Sequence, residues 1–259
     1  MTKAEIVVLA KNGYNAQQIE NIPSYEIEEF FKVQENKFYL ERIKKGLERK
    51  EFNLVTYWDK DYPKNLKNLW NPPLFLFYKG NFSLLHKKSL AVVGARKITD
   101  YGKKATKFFV AGLKQHFVIV SGMALGVDSI AHWSSLGNTI AVLGSGVNYC
   151  YPKSNKILYS KILNSGCIIS EYFPWEGPKK EYFPMRNRII SGLTDGVLIV
   201  EGKLKSGTMI TAMYSLELGK DVFAIPGDIF SENSEGPNFL IKNGAIPVTS
   251  PNDIIDYYF

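Results

Sequence analysis

Between residues 90 and 225 the chain repeats one pattern: a short apolar run, a turn rich in small residues, and a longer stretch whose apolar positions recur with helical spacing. The apolar runs predict strands over 90–93, 118–120, 139–143, 167–169, 196–200 and 222–225, with 245–248 a seventh candidate. The amphipathic stretches predict helices over 100–115, 126–136, 155–163, 186–193 and 209–218. Strands that are apolar throughout belong in a sheet covered on both faces, and intervening helices supply the cover. The expected fold class is α/β, a Rossmann-like doubly wound and mostly parallel sheet.

Upstream of residue 88 the pattern changes. Residues 19–47 mix Phe30, Phe31, Val33, Phe38, Leu40 and Ile43 with acids and lysines, which reads as a small helical N-terminal region. Tyr62-Pro63 and Asn71-Pro72-Pro73 then favour an extended connector docked on the main body. The expected organisation is a helix-rich region with its connector over 1–88 and a Rossmann-like domain over 89–259. The early apolar stretch at 6–10 is too short for a secretory segment, and no run approaches the roughly 20 residues that cross a bilayer. A cytoplasmic protein without membrane contact is expected.

Ligands of doubly wound sheets bind outside the carboxyl ends of the strands, where loops enter helices. This chain places small and polar residues there: Gly94-Ala95-Arg96, Ser121-Gly122-Met123-Ala124, Gly144-Ser145-Gly146 and Ser206-Gly207-Thr208. Glycine serves the turn geometry by itself, but four such turns on one rim predict a cradle of backbone N–H groups and hydroxyls for an anion.

Charge sharpens that expectation. The net charge is +7, and of 32 basic residues only Arg42, Arg49, Arg96, Arg186 and Arg188 are arginine. Where plain positive charge suffices the chain uses lysine, so Arg96 and Arg186 stand out as planar multidentate donors. On a helix from residue 186, Arg186 shares the side of Ile189, Ile190 and Leu193, where a first-turn arginine can reach the crevice; Arg188 points away, to a salt bridge or a rim contact. Just upstream, Lys179, Lys180, Tyr182 and Phe183 interleave cations with rings, which suits unpaired nucleic acid: cations follow phosphates and a ring stacks on a base. Phe183 equally fits a hydrophobic staple at the helix start.

The dinucleotide and phosphate-loop fingerprints are not met. Gly144 and Gly146 lack a third glycine at Tyr149, and no G-x-x-x-x-G-K-[ST] run occurs, so no cofactor is expected. Cys150 and Cys167, with His86, His116 and His132, show no metal-ligand spacing.

The ordered series Gly94-Ala-Arg96 with Tyr101-Gly102, Ser121-Gly-Met-Ala-Leu-Gly-Val-Asp128, Gly144-x-Gly146 with Tyr151-Pro152 and Asn155, Ser170-Glu171, Phe183-Pro-x-Arg-Asn-Arg-Ile-Ile190, Ser206-Gly-Thr with Thr211-Ala212, Ala224-Ile-Pro-Gly227 and Asn238-x-Leu-Ile241 resembles the DprA (Smf) family over about 170 residues. That resemblance implies a non-enzymatic homodimer that binds and protects incoming single-stranded DNA and loads a RecA-type recombinase in natural transformation. Carried onto matching positions, the DNA pocket comprises Arg96, Ser121, Gly122, Lys180, Phe183, Arg186, Asn187, Ser206, Gly207, Thr208 and Lys220. Lys220 stands where many members have arginine, Pro237 is atypical, and the winged-helix domain at the carboxyl end of many members is not expected here. The alternative is an enzyme resembling the nucleotide phosphoribohydrolases, using the same crevice. Their P-G-G-x-G-T-x-x-E signature is replaced here by Lys205-Ser-Gly-Thr-Met-Ile-Thr211, leaving Asp128 and Glu171 as the only carboxylates to nominate.

Overall fold

Before residue 88 the chain joins the sheet by backbone pairing on either side of the proline-rich stretch 62–73. In the computed structural model, which describes residues 1–259, helices α1 (Lys3–Lys11), α2 (Ala16–Asn21), α3 (Ser24–Phe30) and α4 (Gln34–Glu48) precede two strands, β1 (Asn53–Thr56) and β2 (Phe75–Gly80). These strands are antiparallel to one another, and β2 pairs antiparallel with β6 (Cys167–Ser170). They were not read from the sequence because β1 is four residues long and β2 begins one residue after Pro72-Pro73, a strong loop signal.

The parallel part follows the expected alternation: β3 (Ser89–Val93), α5 (Asp100–Leu113), β4 (Val118–Ser121), α6 (Val127–Ser134), β5 (Thr139–Val142), α7 (Lys156–Ser165), β6, α8 (Tyr182–Leu193), β7 (Gly196–Ile199), α9 (Gly207–Glu217), β8 (Asp221–Ala224), α10 (Glu235–Lys242), β9 (Ile246–Pro247) and α11 (Pro251–Tyr258). The strand order across the single sheet is β1-β2-β6-β5-β4-β3-β7-β8-β9. Helix α8 begins four residues before the expected start, with Pro184 in its first turn, where a missing N–H leaves no intrahelical bond unmade.

Side-chain alternation along β3 explains why its apolar run is unbroken. Leu90 and Val92 join the core beneath α5, α6 and α11, while Ala91 and Val93 join the opposite core beneath α8, α9 and α10. A third cluster joins Val7 and Val8 of α1 and Leu40 and Ile43 of α4 to Phe77 of β2, Ala141 of β5 and Leu158 of α7. Residues on both sides of position 88 therefore share one buried cluster, and removing a core phenylalanine such as Phe77 would cost about 3–5 kcal/mol.

Candidate nucleic-acid interface

Strand β3 lies between β4 and β7, so the strand order reverses there. Helix α5, following β3, packs on one face and α9, following β7, on the other. Loops leaving two adjacent strands toward opposite faces open a crevice beyond their carboxyl ends. That crevice encloses about 680 Å³ and is lined by residues 94–97 after β3, Ala124 and Asp128 after β4, Tyr151 after β5, Lys180 and the first turns of α8, the 202–208 segment after β7, and Asn233 after β8.

Of the expected site residues, Arg96, Lys180, Phe183, Arg186, Asn187, Ser206, Gly207 and Thr208 line this crevice. The Arg96 guanidinium carbon lies 5.6 Å from the Phe183 ring centroid, and the Tyr151 ring is 5.6 Å from the same ring, tilted by 42°. Phe183 occupies the second position of α8, inside the helix, so it is not the staple residue that would precede it. It lies against Gly144, where an added Cβ would come within 2.9 Å of the ring. Arg96, Lys97, Lys180 and Lys205 are exposed, and none takes part in an ion pair. At the facing wall the α9 N-terminus has no side-chain cap, because the Ser206 hydroxyl donates to the Lys203 carbonyl at 2.7 Å. The first-turn N–H groups and the helix dipole there favour an anion.

The turn after β4 behaves differently from the expectation. The Ser121 hydroxyl is buried and donates to the Val92 carbonyl at 2.8 Å. The N–H groups of Gly122 and Ala124 donate to Asp128 Oδ2 at 3.1 and 3.3 Å. The protein's own carboxylate therefore fills the cradle that the sequence reading assigned to a ligand. Burial raises the Asp128 pKa, opposed by the charge of Arg186 and by these two N–H bonds. Gly122 borders only a small side cavity with Arg96, Tyr151 and Phe183, and its carbonyl accepts from Arg186.

Arg186 is accordingly a floor residue. Its Nη1 donates to Gly122 at 2.6 Å and also to the Val142 carbonyl, and its Nε donates to Asn187 Oδ1 at 3.1 Å. Burial pushes its pKa down to about 10, within a range where it stays charged at neutral pH. Asn187 in turn donates to the Gly207 carbonyl at 3.1 Å, tying α8 to the start of α9. Arg188 forms a buried two-pronged pair with Glu171, at 2.5 and 2.8 Å.

Lys220 is not brought to the crevice. It precedes β8, at the opposite end of the sheet, and its Nζ donates to the carbonyls of Ser191, Gly192 and Thr194 at the end of α8. Glu201 was missed as a site-building residue. Buried after β7, it accepts from the Thr99 N–H at 3.1 Å and from the Thr99 hydroxyl, and so secures the loop that carries Arg96 and Lys97 to the start of α5. Its local signal was an acidic residue directly after an apolar strand, opposite Gly102, where any Cβ would collide with its carboxylate.

The profile of DNA recombination-mediator protein A matches residues 53–259. A DNA processing protein DprA of Streptococcus pneumoniae is 39% identical, over 98% of this chain and 98% of the relative, and that of Bacillus subtilis is 36% identical, over 99% and 84%. The X-ray structure of the S. pneumoniae DNA processing protein A superposes with a TM-score of 0.85 over 99% of this chain and 98% of that one, at 39% identity. The Helicobacter pylori DNA processing protein A, described for its single-stranded DNA binding mode, superposes with a TM-score of 0.74 over 80% and 96%, at 33% identity. Fold, crevice and sequence agree, and the chain belongs to the DNA recombination-mediator protein A family, the DprA proteins.

Proposed function

We propose that the crevice binds single-stranded DNA, holding phosphates on Arg96, Lys97, Lys180 and Lys205 and on the α9 N-terminus while a base stacks on Phe183. The observation that carries this reading is the set of four exposed, unpaired cations that line one crevice with the Phe183 ring, Arg96 beside it, at the sheet's switch point. Phosphate contacts hold the strand without reading sequence, and a ring accepts any base. Arg186 and Asn187 fix the floor on which Phe183 and the Ser206-Gly207-Thr208 turn are mounted.

Within the same reading the protein protects incoming DNA and loads a RecA-type recombinase onto it in the cytoplasm, acting as a homodimer. Met213 and Leu216, exposed on α9, supply an apolar surface for a second copy. No helix is long and apolar enough to cross a membrane. Binding is favoured over nucleotide hydrolysis because the nearby carboxylates already have partners: Asp128 holds the β4 turn, Glu171 holds Arg188, and Glu201 holds the start of α5.

Fluorescence anisotropy with labelled oligo(dT) and a matched duplex at two salt concentrations tests the reading. We expect preferential single-strand binding that weakens steeply with salt. Arg96→Ala/Lys180→Ala should lower single-strand affinity at least about tenfold and reduce the salt slope by about 1.4, roughly 0.7 for each lost contact to a single strand. Equal binding by that folded variant would remove the crevice from consideration and direct attention to nucleotide-hydrolysis assays.

A further inference from the structure

The two most exposed large apolar side chains in the molecule are neighbours: Phe230 at 90% and Ile229 at 80%. They occupy the loop that leaves β8, on the same rim as the crevice, and three residues later Asn233 forms part of the crevice wall. The side-chain amide of Asn233 donates to the Lys97 carbonyl at 2.8 Å, and the Gly202 N–H donates to the Asn233 carbonyl at 2.7 Å. The loop is thus joined directly to the turn that carries Arg96 and Lys97 and to the one that carries Lys205.

The tip is held out by its own backbone bonding. Asn238 clasps Gly227, accepting from its N–H at 3.2 Å and donating to its carbonyl at 3.0 Å. The Phe230 N–H donates to Asp228 Oδ1 at 2.9 Å, and the Ser231 N–H to the Asp228 carbonyl at 3.1 Å. The Tyr101 hydroxyl donates to the Pro226 carbonyl at 2.7 Å. Backbone this well anchored fixes the point from which the ring projects, so that only the side-chain torsions remain to be ordered when a ligand arrives. Of the acids nearby, Glu232 is paired with Lys203, whereas Asp228, although it accepts from the loop backbone, and Glu235 are exposed and keep their charge, so that the loop contributes an apolar contact and no phosphate site.

We propose that Phe230, supported by Ile229, is a second base-contacting platform that continues the DNA track beyond the crevice and across the end of β8. This inference rests on the single-strand reading of the crevice. The crevice spans the strand ends from Tyr151 after β5 to Asn233 after β8, four inter-strand spacings or about 19 Å. A strand leaving Phe183 in that direction meets the 227–231 loop next. An exposed apolar ring on an anchored loop, adjoining the crevice wall through Asn233, suits stacking on an unpaired base of any identity.

Graded oligo(dT) lengths separate the two platforms. With Phe230→Ala, affinity for the shortest oligonucleotide that binds should match the wild type, while affinity for longer ones should fall about tenfold. In Phe230→Trp, added tryptophan emission should be quenched by long oligonucleotides and not by the shortest. If wild-type protein binds at every length and Phe230→Ala matches it throughout, the second platform is overturned and the crevice reading stands. The same result with a loss of recombinase loading would also overturn it and make the loop a protein contact. If wild-type protein binds no oligonucleotide, the crevice reading fails, and this inference fails with it.

Discussion

The two ends of the sheet use the same kind of residue for opposite purposes. At the carboxyl ends of the strands, Arg96, Lys97, Lys180 and Lys205 stand in solvent without a carboxylate partner. At the amino ends, Lys220 has its ammonium enclosed by three carbonyls at the end of α8. The difference lies in which end of a helix is near. The α8 C-terminus offers unpaired carbonyls that take up a cation, whereas the uncapped α9 N-terminus offers N–H groups and leaves neighbouring cations free for an external anion. A basic residue at a strand–helix junction becomes structural or ligand-binding according to that polarity.

The largest test of the structural set is Arg188. Arg188→Met leaves the Glu171 carboxylate largely buried without its partner, and urea titration should show a loss of about 3–5 kcal/mol. Adding Glu171→Leu should recover most of that loss, since the pair's replacement by apolar groups removes both desolvated charges. Lys220→Met comes next: exposing the α8 carbonyls should lower stability by about 2 kcal/mol, while oligo(dT) affinity measured on the folded protein remains that of the wild type. Reduced affinity with intact stability would instead return Lys220 to the DNA site and break the comparison.

A smaller effect, per unit of pH, comes from His132, which lies fully buried on α6 below the crevice. The Thr139 hydroxyl donates to the Ile119 carbonyl, so His132 Nδ1–H is the donor in its 2.7 Å bond to Thr139, and Nε2 has no partner. Burial, and then the charge of Arg186, push its pKa down to about 3. Between that value and about 6.5 the unfolded chain binds a proton that the folded chain does not. This contribution to stability is therefore complete above pH 6.5 and declines by roughly 1.4 kcal/mol per unit as pH falls toward 3. Denaturation midpoints across that interval should fall in the wild type and flatten in His132→Gln.

Much of the crevice could be read before the fold was known. A strand-end rim with Arg96, Lys180, Phe183 and the Ser206-Gly207-Thr208 turn follows from local patterns, because an apolar run followed by glycine and then an amphipathic stretch locates a strand's carboxyl end. Ser121 and Gly122 carried equally good local signals, and Lys220 was implied only by the family resemblance; none of the three lines the crevice. Their roles depend on contacts across many residues: Ser121 on Val92, Gly122 on Arg186, and Lys220 on Ser191.

The sequence by itself determined the parallel core, since strands buried on both faces must be apolar throughout and helices must show a 3.6-residue period to cover them. It also determined where the basic and aromatic residues fall relative to strand ends. Only the tertiary structure decided that β1 and β2 extend the sheet through β6, that Asp128 occupies one anion cradle, and that Phe230 stands exposed on the loop after β8. Short strands gain identity from the partner whose backbone groups they satisfy, and a charged or polar side chain gains its role from whichever group lies within about 3 Å of it. Those partners are distant along the chain, and periodicity carries no record of them.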